Sequence, residues 1–199
     1  MSKNFYTAVK DRRTYYGIDK QIPVSDERIQ EIIKDAVLHT PSAFNSQSAR
    51  VVLLLGANHD KLWDITKDTL SKVVPPENFS ATEQKINSFK SGYGTVLFFE
   101  DNSVVESLQQ QFAAYKDNFP IWSEQSSGML QYVVWTSLEI EGIGVSLQHY
   151  NPLINDAVRT EWKIPLNWRL VAQMPFGKPT ASPDEKQFQP IESRFKVFK

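Results

Sequence analysis

Two carboxamides and several hydroxyls crowd a short stretch that leads directly into an apolar run. Asn45 and Gln47 lie within Thr-Pro-Ser-Ala-Phe-Asn-Ser-Gln-Ser-Ala-Arg, residues 40–50, and the apolar residues 51–55 follow. Each amide can both donate and accept a hydrogen bond. On an extended segment, residues two positions apart point to the same side. The pair therefore predicts a contact with one planar ligand edge, and the alternative is a polar turn whose side chains bond to its own backbone.

A second polar segment lies near the start of the chain. Arg12 and Arg13 are adjacent and are followed by Thr14. The planar fork of a guanidinium matches phosphate oxygens with two parallel hydrogen bonds, and a threonine hydroxyl adds a further donor. The segment is a candidate anion clamp. Solvated surface charge is the alternative, and it is the usual fate of such a pair.

No side chain predicts acid–base or nucleophilic catalysis. Glu100 and Asp101 are adjacent on a predicted strand, so their carboxylates point to opposite faces and do not converge. His149 has no neighbouring serine, cysteine or paired carboxylate. His39 stands at the end of a predicted helix, where it complements the helix dipole. The residue patterns by themselves therefore leave the chemistry of this protein open.

Four segments in order, at 12–14, 41–47, 142–152 and 189–198, together resemble the nitroreductase family of FMN-dependent oxidoreductases. Pro-Ser-Ala-Phe-Asn-Ser-Gln at 41–47 is similar to the Pro-Ser-x-x-Asn-x-Gln loop that contacts the flavin in that family. Arg-Arg-Thr at 12–14 is similar to its phosphate-binding segment, and Gln-His-Tyr-Asn-Pro at 148–152 resembles the subgroup related to the fatty-acid-repression-mutant proteins. The chain departs from the family at Ser48-Ala49, where most members have proline and an aromatic residue. The resemblance extends over essentially the whole chain.

The resemblance implies a homodimer with one FMN per chain at the interface and a tail, 189–199, that reaches the partner. It implies flavin N5 as the catalytic group, with a backbone N–H near residues 148–150 donating to it. Electrons would pass by a ping-pong mechanism from NAD(P)H to nitroaromatics, quinones or similar small acceptors. The alternative is a flavin-binding regulatory or stress-response protein. The implied cofactor-binding residues are Arg12, Arg13, Thr14, Pro41, Ser42, Ala43, Asn45, Gln47, Gln148, His149, Tyr150 and Arg194.

Composition bounds these expectations. The chain has 199 residues with 22 basic and 23 acidic side chains, so its formal charge of −1 gives no reason to expect a nucleic-acid partner. It contains no cysteine, which excludes thiolate catalysis, thiolate metal sites and disulfides. No apolar run suits a signal peptide or a membrane span. We expect one cytoplasmic α+β domain over residues 1–199.

Residue patterns predict a small sheet with helices on both of its faces, and the family resemblance implies a three-layer α-β-α sandwich. Residues 122–141 are apolar nearly all round, which is typical of a buried helix or an obligate interface. Four aromatic residues are predicted to lie in the core or, by the resemblance, to line the substrate pocket: Phe112, Tyr115, Phe119 and Trp122. The predicted strands are 51–55, which we expect to be buried on both faces, 95–100 and 168–174. Helices are predicted at 5–10, 58–73, 103–118 and 122–141. Three further helices are predicted from their first residues: one is capped by Ser25, one is opened at Ser80 by a capping box with Glu83, and one starts at Pro152.

Overall fold

The computed structural model describes residues 3–199. Its seven α-helices are α1 Phe5–Asp11, α2 Asp26–His39, α3 Ala57–Leu70, α4 Pro76–Lys90, α5 Asn102–Gln111, α6 Asn118–Ile140 and α7 Asn155–Trp162. The five β-strands of this part of the chain are β1 Ile18–Asp19, β2 Ala49–Leu55, β3 Gly94–Asp101, β4 Gly144–Val145 and β5 Trp168–Pro179. Three short 3-10 turns lie at Ala43–Asn45, Ala113–Tyr115 and Ile191–Ser193.

The strands form one antiparallel sheet in the order β1-β5-β3-β2, and β4 pairs with β5. β3 is central, and all eight of its residues are buried. β2 lies at the edge of the sheet, and Leu54 is its one buried residue. The prediction of a strand buried on both faces is therefore wrong for β2, because an apolar run does not reveal whether other elements fully cover each face.

Two hydrophobic cores lie on opposite faces of the sheet, which confirms the three-layer arrangement. Val96 and Phe98 of β3 pack with α2 and α6 on one face. Leu97 and Phe99, which alternate with them, pack with α3, α4 and α7 on the other. This division follows from the two-residue period of a strand, because successive side chains point to opposite faces.

Local sequence patterns predict the start of one helix correctly and the starts of two others wrongly. Ser25 caps α2 by accepting from the Arg28 N–H at 3.3 Å, as predicted. The predicted capping box at Ser80 is wrong, because α4 already begins at Pro76, where proline suits the first helical turn. The predicted helix start at Pro152 is also wrong, since a turn follows it and α7 begins at Asn155.

α6 is the longest described helix, and it is buried on one side only. Ser127, Leu130, Val134 and Leu138 are buried against the rest of the chain. The opposite side carries an exposed stripe at helical spacing, which we call the α6 stripe and which consists of Ile121, Gln125, Gly128, Met129, Tyr132 and Val133. A Cβ added to Gly128 would meet no atom within 4 Å. In one chain α6 is therefore not a wholly buried helix, and the exposed α6 stripe remains available as an interface. No helix within residues 3–199 has both the length and the apolar character needed to cross a bilayer.

Candidate functional site

Arg12 follows the end of α1 and is held by stacking rather than by an ion pair. Its guanidinium carbon lies 4.4 Å from the ring centroid of Trp135 and 5.9 Å from that of Tyr132. Within the described residues, neither Arg12 nor Arg13 pairs with a carboxylate, and the Arg12 Nε is buried with no acceptor. A guanidinium that stacks on an aromatic ring keeps its N–H donors available, because they point outward in the plane of the guanidinium itself. Two adjacent arginines without acidic partners fit a bound phosphate.

The residues after the arginine pair contact β4, the strand that precedes the segment 148–150. Thr14 forms a parallel bridge with Val145, and the Tyr15 N–H donates to the Val145 carbonyl at 3.0 Å. Gln148 lies three positions after Val145, so the chain leads from this contact to the segment 148–150.

The backbone donors of 148–150 differ in availability. The Gln148 N–H donates to the Gln173 carbonyl at 2.7 Å, and the Tyr150 N–H donates to Gln173 Oε1, also at 2.7 Å. The His149 N–H has no acceptor among residues 3–199, and His149 is exposed. Burial raises the pKa of the Tyr150 phenol to about 12, so this group stays neutral near pH 7. Of the three backbone N–H groups of this segment, that of His149 is therefore the one left available to a ligand by the described residues.

The loop at 41–47 is not extended, so the geometric premise for aligning Asn45 with Gln47 is wrong. Ala43–Asn45 form a 3-10 turn, and the backbone φ angles of Phe44, Asn45 and Gln47 are +56°, +50° and +49°. The Ser42 hydroxyl accepts from the Gln47 N–H at 2.9 Å, which is the self-bonded turn that sequence reasoning kept as an alternative. The Asn45 and Gln47 side chains are exposed, and neither amide bonds to another described residue. The turn thus closes on itself and leaves both amides available.

A buried carboxyl lies beneath this loop. Glu100 of β3 is fully buried, and its Oε2 accepts from the Ser48 hydroxyl at 2.6 Å. Ser48 immediately follows Gln47, so the contact ties the end of the loop to the central strand. The Glu100 Oε1 is buried without a donor among the described residues. Burial raises the pKa of Glu100 to about 6, above its ordinary value of 4.5.

This raised pKa predicts a pH-dependent stability. The folded chain holds the Glu100 proton more tightly than the unfolded chain, so the free energy of unfolding falls as pH rises from about 4.5 through about 6. Each pH unit between the two pKa values corresponds to about 1.4 kcal/mol, so Glu100→Gln should stabilise the chain by about 2 kcal/mol at pH 8. The gain should vanish below pH 4.5. Urea unfolding at both pH values measures it, with the exposed Glu106→Gln as control. An equal gain at both pH values would contradict the assignment.

The two groups of predicted site residues lie toward opposite ends of α6. Arg12 stacks on Trp135, whereas Phe44 in the 41–47 loop stacks on Trp122. These two tryptophans are separated by about 20 Å along the helix, since each residue adds about 1.5 Å. Within one chain, Arg12 is therefore held far from the 41–47 loop that carries Asn45 and Gln47.

The C-terminal tail stands away from both groups. Residues 184–199 are exposed throughout, including Arg194 and the apolar Ile191, Phe195, Val197 and Phe198. Residues 194–198 alternate basic and apolar side chains in a strand-like pattern, but no strand forms there within one chain, where Ile191–Ser193 is the one regular turn of this segment. Backbone groups of a tail with no neighbouring strand have nothing to pair with, so an alternating pattern alone does not make a strand.

An apolar groove of about 620 Å³ runs beside the open edge of the sheet. It lies between α2, α6 and β2, and the loop residues Pro41, Ser42 and Gln47 reach its rim. Val51 and Leu53 line its floor, which explains why β2 is only half-buried in one chain.

Sequence reasoning missed two features of this site. Adjacent carboxylates on a strand do not predict a role for Glu100, because its partner Ser48 lies 52 positions away. Phe44 was not singled out, although its ring contacts all four aromatic residues that sequence reasoning left open. A large aromatic residue inside a polar loop was the one available signal for Phe44.

Comparison with known proteins assigns this arrangement to a family. The model of the Nitroreductase family matches residues 9–178. The chain belongs to the nitroreductase family. That assignment makes it an oxidoreductase of the nitroreductase type and confirms the resemblance read from 12–14, 41–47 and 148–152.

Individual nitroreductases are similar to this chain over nearly its whole length. The putative nitroreductase HBN1 of Saccharomyces cerevisiae is 38% identical over 190 residues, covering 94% of this chain and 93% of HBN1. The nitroreductase FRM2 of the same yeast is 33% identical over 187 residues, covering 93% of each. The nitroreductase CinD of Lactococcus lactis, solved in complex with chloramphenicol, is 44% identical with a TM-score of 0.90, covering 98% of this chain and 100% of CinD. The likeness to FRM2 confirms the subgroup as well as the family.

Proposed function

We propose that this nitroreductase-family protein is an FMN-dependent reductase that takes electrons from NAD(P)H and delivers them to small aromatic acceptors. The observation that carries the proposal is the pair of arginines without acidic partners among the described residues, together with an exposed His149 N–H that has no acceptor there. Purified protein should be yellow, should release FMN rather than FAD, and should oxidise NADH or NADPH when a nitroaromatic is added. Colourless protein that stays apo after incubation with FMN would overturn the proposal.

The donors present suit the parts of FMN. Arg12, Arg13 and Thr14 would hold the phosphate, because an arginine without a carboxylate partner can give its N–H groups to phosphate oxygens. Arg194 would join them from the tail of a second copy. FMN is favoured over a dinucleotide because the chain has no glycine-rich dinucleotide turn.

The remaining proposed cofactor-binding residues would surround the flavin ring. The amides of Asn45 and Gln47 are exposed donors and acceptors at the surface of a closed turn. Pro41, Ser42 and Ala43 would supply the backbone that holds this turn, while Gln148, His149 and Tyr150 would contact the ring from the other chain. When bound, FMN supplies the hydride chemistry that no side chain of this protein offers. The protein's donors would stabilise negative charge on the reduced ring, as preorganised dipoles do for any developing anion.

The acceptor class is supported by what similar proteins bind. CinD has been solved with chloramphenicol and with 4-nitrophenol. We propose that nitroaromatics, quinones and related planar molecules are acceptors here, and that donor and acceptor use the same open face in turn. Steady-state rates should then give parallel lines in reciprocal plots at several acceptor concentrations. Intersecting lines, which indicate a ternary complex, would refute the shared face.

The proposed enzyme is a homodimer. The α6 stripe exposes Ile121, Met129, Tyr132 and Val133, and Gly128 among them leaves room for close approach of another backbone. Obligate interfaces are apolar in this way and resemble a core cut in half. The open edge of β2 and the adjoining groove suit the apolar tail of a second copy, which has no docking site within its own chain.

His149 tests the role of the backbone donor. His149→Ala keeps the N–H and should leave both flavin binding and turnover within a few-fold of wild type. His149→Pro removes the N–H, and it should lower the rate of flavin reduction by about 100-fold, the typical loss for one preorganised donor. Stopped-flow reduction by NAD(P)H measures both variants, and circular dichroism checks that each folds. Loss of activity in His149→Ala with retained flavin would instead identify the imidazole as a proton donor.

A further inference from the structure

Gln173 is a buried carboxamide in the middle of the sheet. It is fully buried in β5, and its partner across the strand pair is Leu97 of β3. Side chains of directly paired residues lie on the same face of a sheet, and Leu97 belongs to the hydrophobic core that packs with α3, α4 and α7. A carboxamide buried in such a core is destabilising unless its polar atoms are hydrogen-bonded. Its partners lie in the segment 148–151.

Gln173 holds the backbone on both sides of His149. The Gln148 N–H donates to the Gln173 carbonyl at 2.7 Å, and the Gln173 N–H donates to the Gln148 carbonyl at 2.9 Å. The Tyr150 N–H donates to the side-chain Oε1 of Gln173 at 2.7 Å. The Gln173 Nε2 donates to Asn151 Oδ1 over a longer 3.4 Å. One residue therefore fixes both neighbours of His149.

The side chain of Gln173 ends the strand pairing that its backbone begins. In a regular antiparallel pair, the N–H two positions after Gln148 would donate to another backbone carbonyl of the partner strand. Here the Tyr150 N–H donates to the carboxamide oxygen of Gln173 instead. The N–H groups of two residues on either side of His149 both meet Gln173, which is the two-residue alternation of extended backbone. The His149 N–H between them is therefore directed away from β5, and it has no acceptor among residues 3–199.

The ring of Tyr150 anchors the same segment a second time. It packs against the core that contains Leu97, and it lies edge-on to Trp63 with a centroid distance of 6.0 Å and an interplanar angle of 84°. His149 is exposed, whereas Gln148 before it is buried. The segment thus has fixed neighbours around one exposed residue.

We infer that Gln173 is a positioning residue for the proposed flavin donor: its side-chain amide, by accepting from the Tyr150 N–H, fixes the direction of the His149 N–H. The inference rests on the proposed function, which assigns the His149 N–H to the flavin ring. Because Gln173 is fully buried, it acts through the segment 148–150 and not by contact with the ring. A donor that is already oriented stabilises developing charge without reorganising, so its fixed direction contributes to the rate.

The test compares substitutions that remove the acceptor with one that keeps it. Gln173→Met is similar in shape but offers the Tyr150 N–H no oxygen, and Gln173→Asn keeps an amide but withdraws its oxygen by one methylene. Gln173→Glu keeps an oxygen at the same reach in either protonation state. Leu97→Val is the matched control, because it alters the core at the paired position and leaves the carboxamide in place. Circular dichroism checks that each variant folds.

The nitrogen-15 NMR signal of N5 in labelled FMN is the first readout, because it responds to a hydrogen bond at that atom. Gln173→Met and Gln173→Asn should move the signal to low field, the direction of a weaker hydrogen bond, and Gln173→Glu and Leu97→Val should keep it in place. The rate of flavin reduction by NAD(P)H should fall about tenfold in the first two variants, less than for outright removal of a donor. The Kd for FMN should stay within a few-fold, since the proposed phosphate contacts are intact.

Amide hydrogen exchange in the apoprotein tests the same contact without flavin. The Tyr150 N–H should be protected in wild type and in Gln173→Glu, and it should exchange faster in Gln173→Met and Gln173→Asn. An N5 signal that is unchanged in folded Gln173→Met, or that moves equally in Leu97→Val, would overturn the inference and leave Gln173 a residue of the core. Gln173→Glu that matches Gln173→Met in both measurements would do the same. Wild-type protein that does not bind FMN would instead overturn the proposed function.

Discussion

Dimers that combine one Arg12→Glu chain with one Asn45→Ala/Gln47→Ala chain should recover about half of the wild-type activity, although either variant alone is inactive. The reason is the separation of about 20 Å along α6 between the position of Arg12 and that of the 41–47 loop. If each site takes Arg12 from one chain and the loop from the other, the mixed dimer has one site with both lesions and one with neither.

The expected losses in the homodimers are large enough to make this recovery visible. Removing a charge-assisted contact to phosphate costs about 1.5–3 kcal/mol, and Arg12→Glu adds a like charge beside the phosphate. Removing both loop amides deletes the donors proposed for the ring. Each homodimer should therefore keep no more than a few per cent of wild-type turnover.

The cis arrangement of the same substitutions is the matched control. A chain carrying all three substitutions, paired with a wild-type chain, would place one lesion set in each composite site and should be inactive. Two affinity tags allow each mixed dimer to be purified, and nitroaromatic reduction measures its activity. The opposite pattern, activity in the cis dimer and none in the trans dimer, would mean that each site belongs to a single chain.

Met129→Glu should convert the protein to a folded monomer that has lost its flavin. Met129 lies in the α6 stripe and is 42% exposed in one chain, so a carboxylate there is solvated in the monomer. In a dimer that buries the stripe, the same carboxylate would have no donor, at a cost of several kcal/mol. A loss of about 4 kcal/mol raises the dimer Kd by about a thousandfold.

Val73→Glu is the control for this prediction. Val73 follows α3 and is 58% exposed, so it receives the same charge at a comparably open apolar position outside the α6 stripe. It should remain dimeric and yellow. Light scattering measures the mass of each variant, and visible absorbance measures its flavin. A Met129→Glu variant that stays dimeric with bound FMN would exclude the α6 stripe from the interface.

Features that depend on neighbouring residues could be predicted from the sequence. The Ser25 cap and the apolar spacing of α2 determine that helix, because both act within a few turns. The central strand β3 follows from its apolar run in the same way. The motif at 41–47 indicated the family, because residue types and order are preserved there whatever the loop geometry.

Only the tertiary structure decided the features that join distant parts of the chain. β2 has the same apolar character as a central strand, but its place at the edge depends on which strands pair. Phe44, whose backbone is left-handed, stacks on Trp122 of α6, and Glu100 meets Ser48 across 52 positions. Arg12 and Asn45 looked like parts of one site in the sequence, yet α6 holds them apart. Local propensity cannot specify such contacts, because each is selected by the packing of whole elements against one another.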